Sequence, residues 1–99
     1  MTPIIKLLRA GEWAALQATG SFAGSPDDLR DGYIHLSTPE QAPGTRAKYF
    51  ANEPGAVALT LDADALAADL RWEPSRGGQL FPHLYRPLRL NEVVAVNPA

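Results

Sequence analysis

The chain has two histidines, His35 and His83, and imidazole is the side chain that most readily exchanges protons near neutral pH. Tyr33 stands two residues before His35, and Tyr85 stands two residues after His83. Because alternate residues of a strand point to the same side, each tyrosine shares a face with its histidine. Two such strands facing each other would line one cleft with two imidazoles and two phenols. The alternative for each histidine is a structural role, hydrogen-bonded within the core.

Glu73 is a third candidate for chemistry. It follows Trp72 and precedes Pro74, and a carboxylate beside a large aromatic ring is open to desolvation and a functional role. The competing interpretation is an exposed charge paired with Arg71 or Arg76. The candidate catalytic residues are therefore Glu73 and the two histidines.

Hydroxyl groups follow His35 at Ser37 and Thr38, where the sequence predicts the start of a helix. Thr38 and Gln41 form a capping-box pattern, with Pro39 at the first helical position. Free backbone N–H groups at a helix start attract anions. We expect His35, at the end of its strand, to share a ligand with this helix start. Capping is the alternative use of one of the two hydroxyls.

Arg76 lies in a flexible, basic segment at residues 75–78 and is a candidate contact for a phosphate group, although the segment lacks the phosphate-loop pattern. The candidate ligand-binding residues are Tyr33, Ser37, Thr38, Arg76 and Tyr85. With no cysteine and only two histidines, the chain has too few ligands for the usual closed metal site, so we expect no metal and no disulfide. No spacing of serine, histidine and acid supports a hydrolase triad.

Length and charge restrict the class of protein. A chain of 99 residues is enough for one domain, with a core from about residue 4 to residue 96. A net charge of −2 without a run of like charges argues against a broad surface for nucleic acids or membranes. No export signal is visible, and no apolar run approaches the ~20 residues that span a bilayer. We expect a cytoplasmic protein.

The elements that must position these residues are short. Apolar and β-branched runs predict strands at residues 3–9, 33–36, 57–61, 70–73, 80–85 and 92–96. Helical patterns predict helices at residues 12–18, from about 38 to 51 with an interruption at Pro43-Gly44, and from Asp62 to 69. Residues 22–30 and 74–79 are predicted loops, and Trp13 and Trp72 predicted core residues. The class is α+β, with two to three helices and a mostly antiparallel sheet that is strongly bent or split.

The motifs together resemble a known family. They are Glu12-Trp13, Asp31-Gly32-Tyr33-Ile34-His35-Leu36-Ser37-Thr38, Gln41, Thr45, Tyr49-Phe50, Trp72-Glu73 and Phe81-Pro82-His83-Leu84-Tyr85. In this order, from about residue 4 to residue 96, they resemble the bacterial family catalogued as domain of unknown function 952.

Members of that family look like the ADP-ribosyltransferase fold, whose cleft holds nicotinamide adenine dinucleotide (NAD). The segment around His35 is also similar to RNA 2′-phosphotransferases, which share that fold. The resemblance implies a nucleotide-type ligand in a cleft lined by the candidate residues. Glu73 would stabilise charge on a ribose during glycosyl transfer, His35 and His83 would hold ribose or phosphate, and a tyrosine would stack on a ring. The first strand offers only Lys6 where that fold usually carries a histidine or arginine motif.

Two other functions stay open at this point. A non-catalytic nucleotide-binding module would keep the cleft without the chemistry, and Lys6 in the first strand favours it. A small hydrolase or lyase would use His35 and His83 as an acid–base pair. The sequence leaves the oligomeric state open.

Overall fold

Eight strands and three α-helices make up the protein, in a computed structural model that describes all residues from Met1 to Ala99. In chain order they are β1 (Pro3–Leu8), α1 (Ala10–Thr19), β2 (Ser21–Phe22), α2 (Pro26–Asp31), β3 (Ile34–His35), α3 (Ala42–Tyr49), β4 (Val57–Asp62), β5 (Leu70–Pro74), β6 (Leu80–Leu84), β7 (Leu88–Arg89) and β8 (Ala95–Pro98). Single 3₁₀ turns occupy Ala67–Asp69, Arg76–Gly78 and Leu90–Glu92.

The strands pair antiparallel throughout and form three small sheets, with the orders β1-β4-β8, β2-β7 and β3-β6-β5. A single bridge between Ile5 and Ser37 links the first sheet to the third. This arrangement confirms the α+β class, the split antiparallel sheet and the number of helices.

The main core lies between these sheets. Alternate residues of β1, Ile4 and Leu8, are completely buried, as are Leu59 and Leu61 of β4 and Leu84 of β6. The opposite face of β1 carries Ile5 and Leu7. Alternation along β1 therefore separates a core face from a second face, which borders the candidate site.

Helix α2 was not predicted, because the polar residues 22–30 read as a loop. Ser25 starts the helix by a reciprocal capping box: its Oγ accepts from the N–H of Asp28, and its own N–H donates to the Asp28 carboxylate. Pro26 occupies the first turn, where a missing N–H costs nothing. Gly32 ends the helix with φ 87°, a left-handed conformation that favours glycine.

The helix predicted to begin at Thr38 begins later. The capping-box bonds between Thr38 and Gln41 do form, but they close a turn that leads into α3, which starts at Ala42 with its N–H donating to the Thr38 carbonyl. Pro43 explains the break, since it has no N–H with which to continue the first turn. The N–H of Thr38 is bonded to Gln41 and that of Ser37 to the Ile5 carbonyl. These amides are therefore not free for an anion.

Other boundaries also differ from the predictions. The segment from Asp62 to residue 69 forms turns and one 3₁₀ turn in place of a helix, with the Asp62 side chain accepting from the N–H of Asp64. The last strand begins at Ala95, because residues 90–92 turn first. No helix is long and apolar enough to cross a membrane.

The two tryptophans differ in their environment. Trp13 is half-buried and packs against the main core, as predicted. Trp72 was predicted to be in the core and is 44% exposed, so that prediction is wrong. Its strand, β5, lies at the edge of its sheet, and no residue of β5 is fully buried.

Candidate functional site

A cavity of about 400 Å³ opens between β1, β3, α3 and the β5–β6 hairpin. Antiparallel pairing of β3 with β6 places His35 directly opposite His83. The two imidazole centroids are 5.6 Å apart, and both rings line the cavity. The strand pairing thus brings together the two histidines that the sequence singled out.

Tyr33 packs among the other rings of this cluster. Its ring stacks on His83 at a centroid distance of 4.1 Å and lies 4.7 Å from His35 and 5.3 Å from Tyr85. Burial, and then the nearby charges of Asp31 and Glu73, raise the pKa of the Tyr33 phenol above its ordinary value. The phenol is therefore a neutral O–H group at the cavity wall.

His35 is oriented by a buried carboxylate, Asp28, whose side chain is only 2% exposed. Its Nδ1 and its backbone N–H contact Asp28 Oδ1 at 2.7 and 3.1 Å. The other oxygen, Oδ2, accepts from Lys6 Nζ at 3.0 Å and from the Ser25 N–H at 2.9 Å. Three of the four contacts to this carboxylate come from groups that can only donate, namely Lys6 Nζ and the backbone N–H groups of Ser25 and His35.

Burial opposes ionisation of Asp28, but its partners outweigh that cost. The hydrogen bond from the His35 ring, the positive charge of Lys6 and the two backbone donors together hold the pKa of Asp28 well below its ordinary range. An ionised carboxylate only accepts, so Nδ1 of His35 carries a hydrogen. Asp28 therefore fixes both the direction and the proton position of the His35 ring.

Lys6 is not presented to the cavity. It lies on the core face of β1, where burial lowers its pKa and the Asp28 charge opposes that effect. Besides the bond to Asp28, its Nζ donates to the His35 carbonyl at 3.0 Å. Lys6 thus holds Asp28 and the backbone of β3 from the core face of β1 and does not supply a first-strand group for a ligand.

The second nitrogen of His35 is also engaged. Its Nε2 lies 3.0 Å from Asp31 Oδ2, within ion-pair distance when the ring is protonated. The Asp31 carboxylate is in turn held by Arg30 at 2.9 Å. Both ring nitrogens of His35 therefore face carboxylates, one buried and the other partly exposed.

His83 has one engaged nitrogen and one without a protein partner. Nδ1 contacts Glu73 Oε1 at 2.8 Å, and the Tyr85 hydroxyl donates to the same oxygen at 2.6 Å. The hydrogen bond from Tyr85 and then that from His83 lower the pKa of Glu73, and the bond to Glu73 raises the pKa of Tyr85. No residue is hydrogen-bonded to Nε2 of His83, a ring that lines the cavity.

Arg76 forms part of the opposite wall. Its Nη2 lies 3.3 Å from Thr45 Oγ1, which is 3.1 Å from Ser37 Oγ, and its guanidinium lies over the Phe81 ring. The cavity is also lined by Arg9 and Arg30, but both of these form ion pairs with carboxylates. Arg76 is the cavity arginine without an acidic partner.

The predicted site residues divide into two groups. The residues that line the cavity are Tyr33, His35, Ser37, Arg76 and His83. Two others do not line the cavity: Glu73 is hydrogen-bonded to His83 Nδ1, and Tyr85 is hydrogen-bonded to Glu73 and packs near the Tyr33 ring. The Thr38 side chain is used in its own turn. No group of three or more histidine, aspartate and glutamate side chains could hold a metal ion.

A model of the family described as a protein of unknown function (DUF952) matches residues 7–96. The chain belongs to this family. Among curated proteins none matches it. The DUF952 family match covers every residue of the cavity that the sequence singled out.

Solved structures of one protein share this DUF952 architecture. The crystal structure of protein CC0527 from Caulobacter crescentus is 50% identical, with a TM-score of 0.94 over 98% of this chain and 85% of that chain. The solution NMR structure of CC0527 is 51% identical, with a TM-score of 0.87 over 99% of this chain and 84% of that chain.

Sequence reasoning did not single out Asp28, it noted Asp31 and Thr45 only as parts of family motifs, and it considered Lys6 only as a first-strand group. A signal for Asp28 was present, because Ser25-Pro26-Asp27-Asp28 has the same capping pattern as the predicted turn at Thr38. No local signal joins Lys6 to Asp28, since their contact depends on how β1 packs against α2.

Proposed function

We propose that the cleft binds a phosphate-bearing, nucleotide-type ligand, with NAD as the specific candidate, and that the protein transfers a glycosyl group from it. The proposal includes the ADP-ribosyltransferase-like fold that the sequence resemblance implies. Its main support is the placement of Arg76, an arginine without an acidic partner, across one cavity from His35 and His83. A planar guanidinium with free donors is suited to phosphate oxygens.

The dimensions and lining of the cavity suit such a ligand. Its volume of about 400 Å³ falls within the range of small-molecule sites, roughly 300–1,000 Å³. Tyr49, which is half exposed at the rim, offers a ring face to a base, and Ser37 and Thr45 offer hydroxyls beside Arg76. His35 and His83 lie where they would contact ribose hydroxyls. NAD would supply a glycosyl bond that is already activated by its nicotinamide leaving group.

Thermal shift and calorimetric titration with NAD, ADP-ribose, AMP and ribose 5-phosphate test the binding. We expect NAD and ADP-ribose to raise the melting temperature, and Arg76→Gln to weaken their binding roughly tenfold to hundredfold, the loss of a charged hydrogen bond. Arg71→Gln is the matched control, because Arg71 lies on the same hairpin but outside the cavity. No stabilisation by any of the four compounds would contradict the proposal.

A second candidate, a hydrolase or lyase, is favoured by one observation. Both imidazoles are held at Nδ1 by a carboxylate, as in an acid–base pair. Nicotinamide release from NAD separates the functions: release supports the transferase, and stabilisation by NAD without release supports a non-catalytic module. Breakdown of a nucleotide or sugar phosphate without any effect of NAD supports the hydrolase or lyase.

A further inference from the structure

We propose that Nε2 of His83 is the proton acceptor of the cleft. Glu73 and Tyr85 are the positioning residues, which keep the hydrogen of the ring on Nδ1 and the lone pair on Nε2. The inference rests on the proposed function for the identity of the proton donor, a ligand hydroxyl or a water beside it. It assigns to Glu73 a role behind the histidine in place of direct contact with a ribose.

The position of His83 in the sheet fixes its ring. Strand β6 is the central strand of its sheet, and His83 is paired with His35 on one side and with Arg71 on the other. Its side chain is 2% exposed, and Tyr33 stacks on one ring face at 4.1 Å. Glu73 lies two residues beyond Arg71 and reaches Nδ1 at 2.8 Å. The ring therefore cannot turn without breaking these contacts.

The Glu73 carboxylate determines which nitrogen carries the hydrogen. Oε1 accepts from Tyr85 at 2.6 Å, and an ionised carboxylate has no hydrogen to give, so the contact with His83 requires Nδ1–H as the donor. A neutral imidazole protonated at Nδ1 has its lone pair at Nε2. That atom has no protein partner, and the ring lines the cavity.

His35 is not equivalent to His83. Both of its nitrogens face carboxylates, Asp28 at 2.7 Å and Asp31 at 3.0 Å, so it has no lone pair directed into empty space. This difference between two imidazoles 5.6 Å apart separates their roles, with His83 as acceptor and His35 as donor or anchor.

Proton transfer at His83 would proceed as follows. An O–H bond in the cleft breaks, its electron pair stays on oxygen, and the proton joins the lone pair of Nε2. Nδ1–H continues to donate to Glu73, which stays ionised and stabilises the imidazolium that forms. Deprotonation of Nε2 by solvent restores the resting state, and no oxidant or further reactant is needed.

Long-range ¹H–¹⁵N correlation of the imidazoles in ¹⁵N-labelled, ligand-free protein at neutral pH tests the resting state. We expect His83 to show a protonated Nδ1 and an unprotonated Nε2. Glu73→Ala should remove this tautomer, and Glu73→Gln should keep it, because the amide oxygen still accepts. Tyr85→Phe should weaken the preference for this tautomer less than Glu73→Ala does, since it removes one hydrogen bond from Oε1 and leaves the acceptor of Nδ1 in place. Glu40→Ala is the matched control, because Glu40 is an exposed carboxylate that is not hydrogen-bonded to His83, and it should leave the tautomer unchanged. A wild-type His83 protonated at Nε2 would overturn the inference.

Addition of ADP-ribose to the same sample tests the acceptor role. We expect the Nε2 resonance to move toward that of a protonated nitrogen, and to move less in Glu73→Ala. An unmoved Nε2 in a protein that ADP-ribose stabilises against heat would overturn the inference and leave the proposed binding intact. Absence of any stabilisation by ADP-ribose would count against the proposed function alone, and the ligand-free tautomer would then decide the state of His83.

Discussion

At the scale of single residues, Asp28 connects the stability of the protein to the geometry of its cleft. One of its oxygens orients the His35 ring, and the other is paired with Lys6. A buried charge is expensive without its partners, so any change at Asp28 leaves Lys6 as an uncompensated buried cation.

We therefore expect Asp28→Asn to lower the free energy of unfolding by about 3–5 kcal/mol, the usual cost of breaking a buried pair. Urea denaturation measures this loss. Asp27→Asn is the control, because Asp27 is next to Asp28 in the chain but its carboxylate is exposed and pairs only with Arg30. It should change stability by less than about 0.5 kcal/mol. An Asp28→Asn protein as stable as Asp27→Asn would mean that the buried pair contributes nothing.

Residue types alone revealed the two histidines and Glu73, which holds His83, but not Asp28, which holds His35. Histidine is rare in this chain and titrates near neutral pH, so His35 and His83 stand out in the sequence. Asp28 is one of many acidic residues, and only the packing of α2 on β1 and β3 distinguishes it. A carboxylate that reaches its histidine only through the packing of distant elements, as Asp28 does, is therefore hard to find in a single sequence.

At the scale of elements, one sequence pattern gives two different results. Ser25-Pro26 with Asp28 starts helix α2, whereas Thr38-Pro39 with Gln41 closes only a turn. The difference lies downstream, where Pro43 interrupts the second segment. The capping pattern thus predicts where a helix can begin, and the next several residues decide whether it continues.

Alternation along a strand predicts which residues share a face but not which face is inward. It placed Tyr33 with His35 and His83 with Tyr85, and the structure brings all four rings together. The prediction that Trp72 is buried failed, because β5 is an edge strand and its sequence does not show which of its two faces is covered.

The two tryptophans give a paired test of this distinction. We expect Trp13→Ala to cost about 3 kcal/mol, the lower end for deletion of a large aromatic side chain, because Trp13 is half-buried against the core. Trp72→Ala should cost less than about 1 kcal/mol, since the ring is 44% exposed. Thermal and urea unfolding of both variants gives the comparison. Equal losses would show that burial does not separate these positions.

At the scale of the whole molecule, acid should destabilise the protein. The pKa of Asp28 is lower in the folded state than its ordinary value of about 3.9, so the unfolded chain binds its proton more readily. The stability from Asp28 is therefore fully present above about pH 4 and is lost as the pH falls below it. The pKa of Glu92 is lowered in the same direction by its hydrogen bond with Arg86.

Urea unfolding at a series of pH values from neutral to about 3 measures this dependence. We expect the free energy of unfolding to fall toward low pH in the wild type and to fall less steeply in Asp28→Asn. The midpoint of Asp27→Asn should follow the wild type. Identical slopes for wild type and Asp28→Asn would show that Asp28 is not the main source of acid sensitivity.

The class of the molecule was predictable because short apolar runs separated by turns indicate antiparallel strands. Division into three sheets was not, since β2 and β7 are two-residue strands with too little sequence to form a pattern. The last strand was placed too early for a related reason: the apolar residues 93 and 94 continue the pattern of β8 without pairing as part of it.

The pairing of β3 with β6 also bears on how the protein emerges from the ribosome. His35 belongs to the first half of the chain and meets His83 only when β6 is available. Lys6 and Asp28, by contrast, are both in the first third of the chain, so their pair can form while synthesis continues. A domain with such distant pairings is slow to close. Contact between Lys6 and Asp28 therefore requires little of the chain, whereas their burial and the cleft both wait for the later strands, so a ligand that needs both histidines binds only the completed fold.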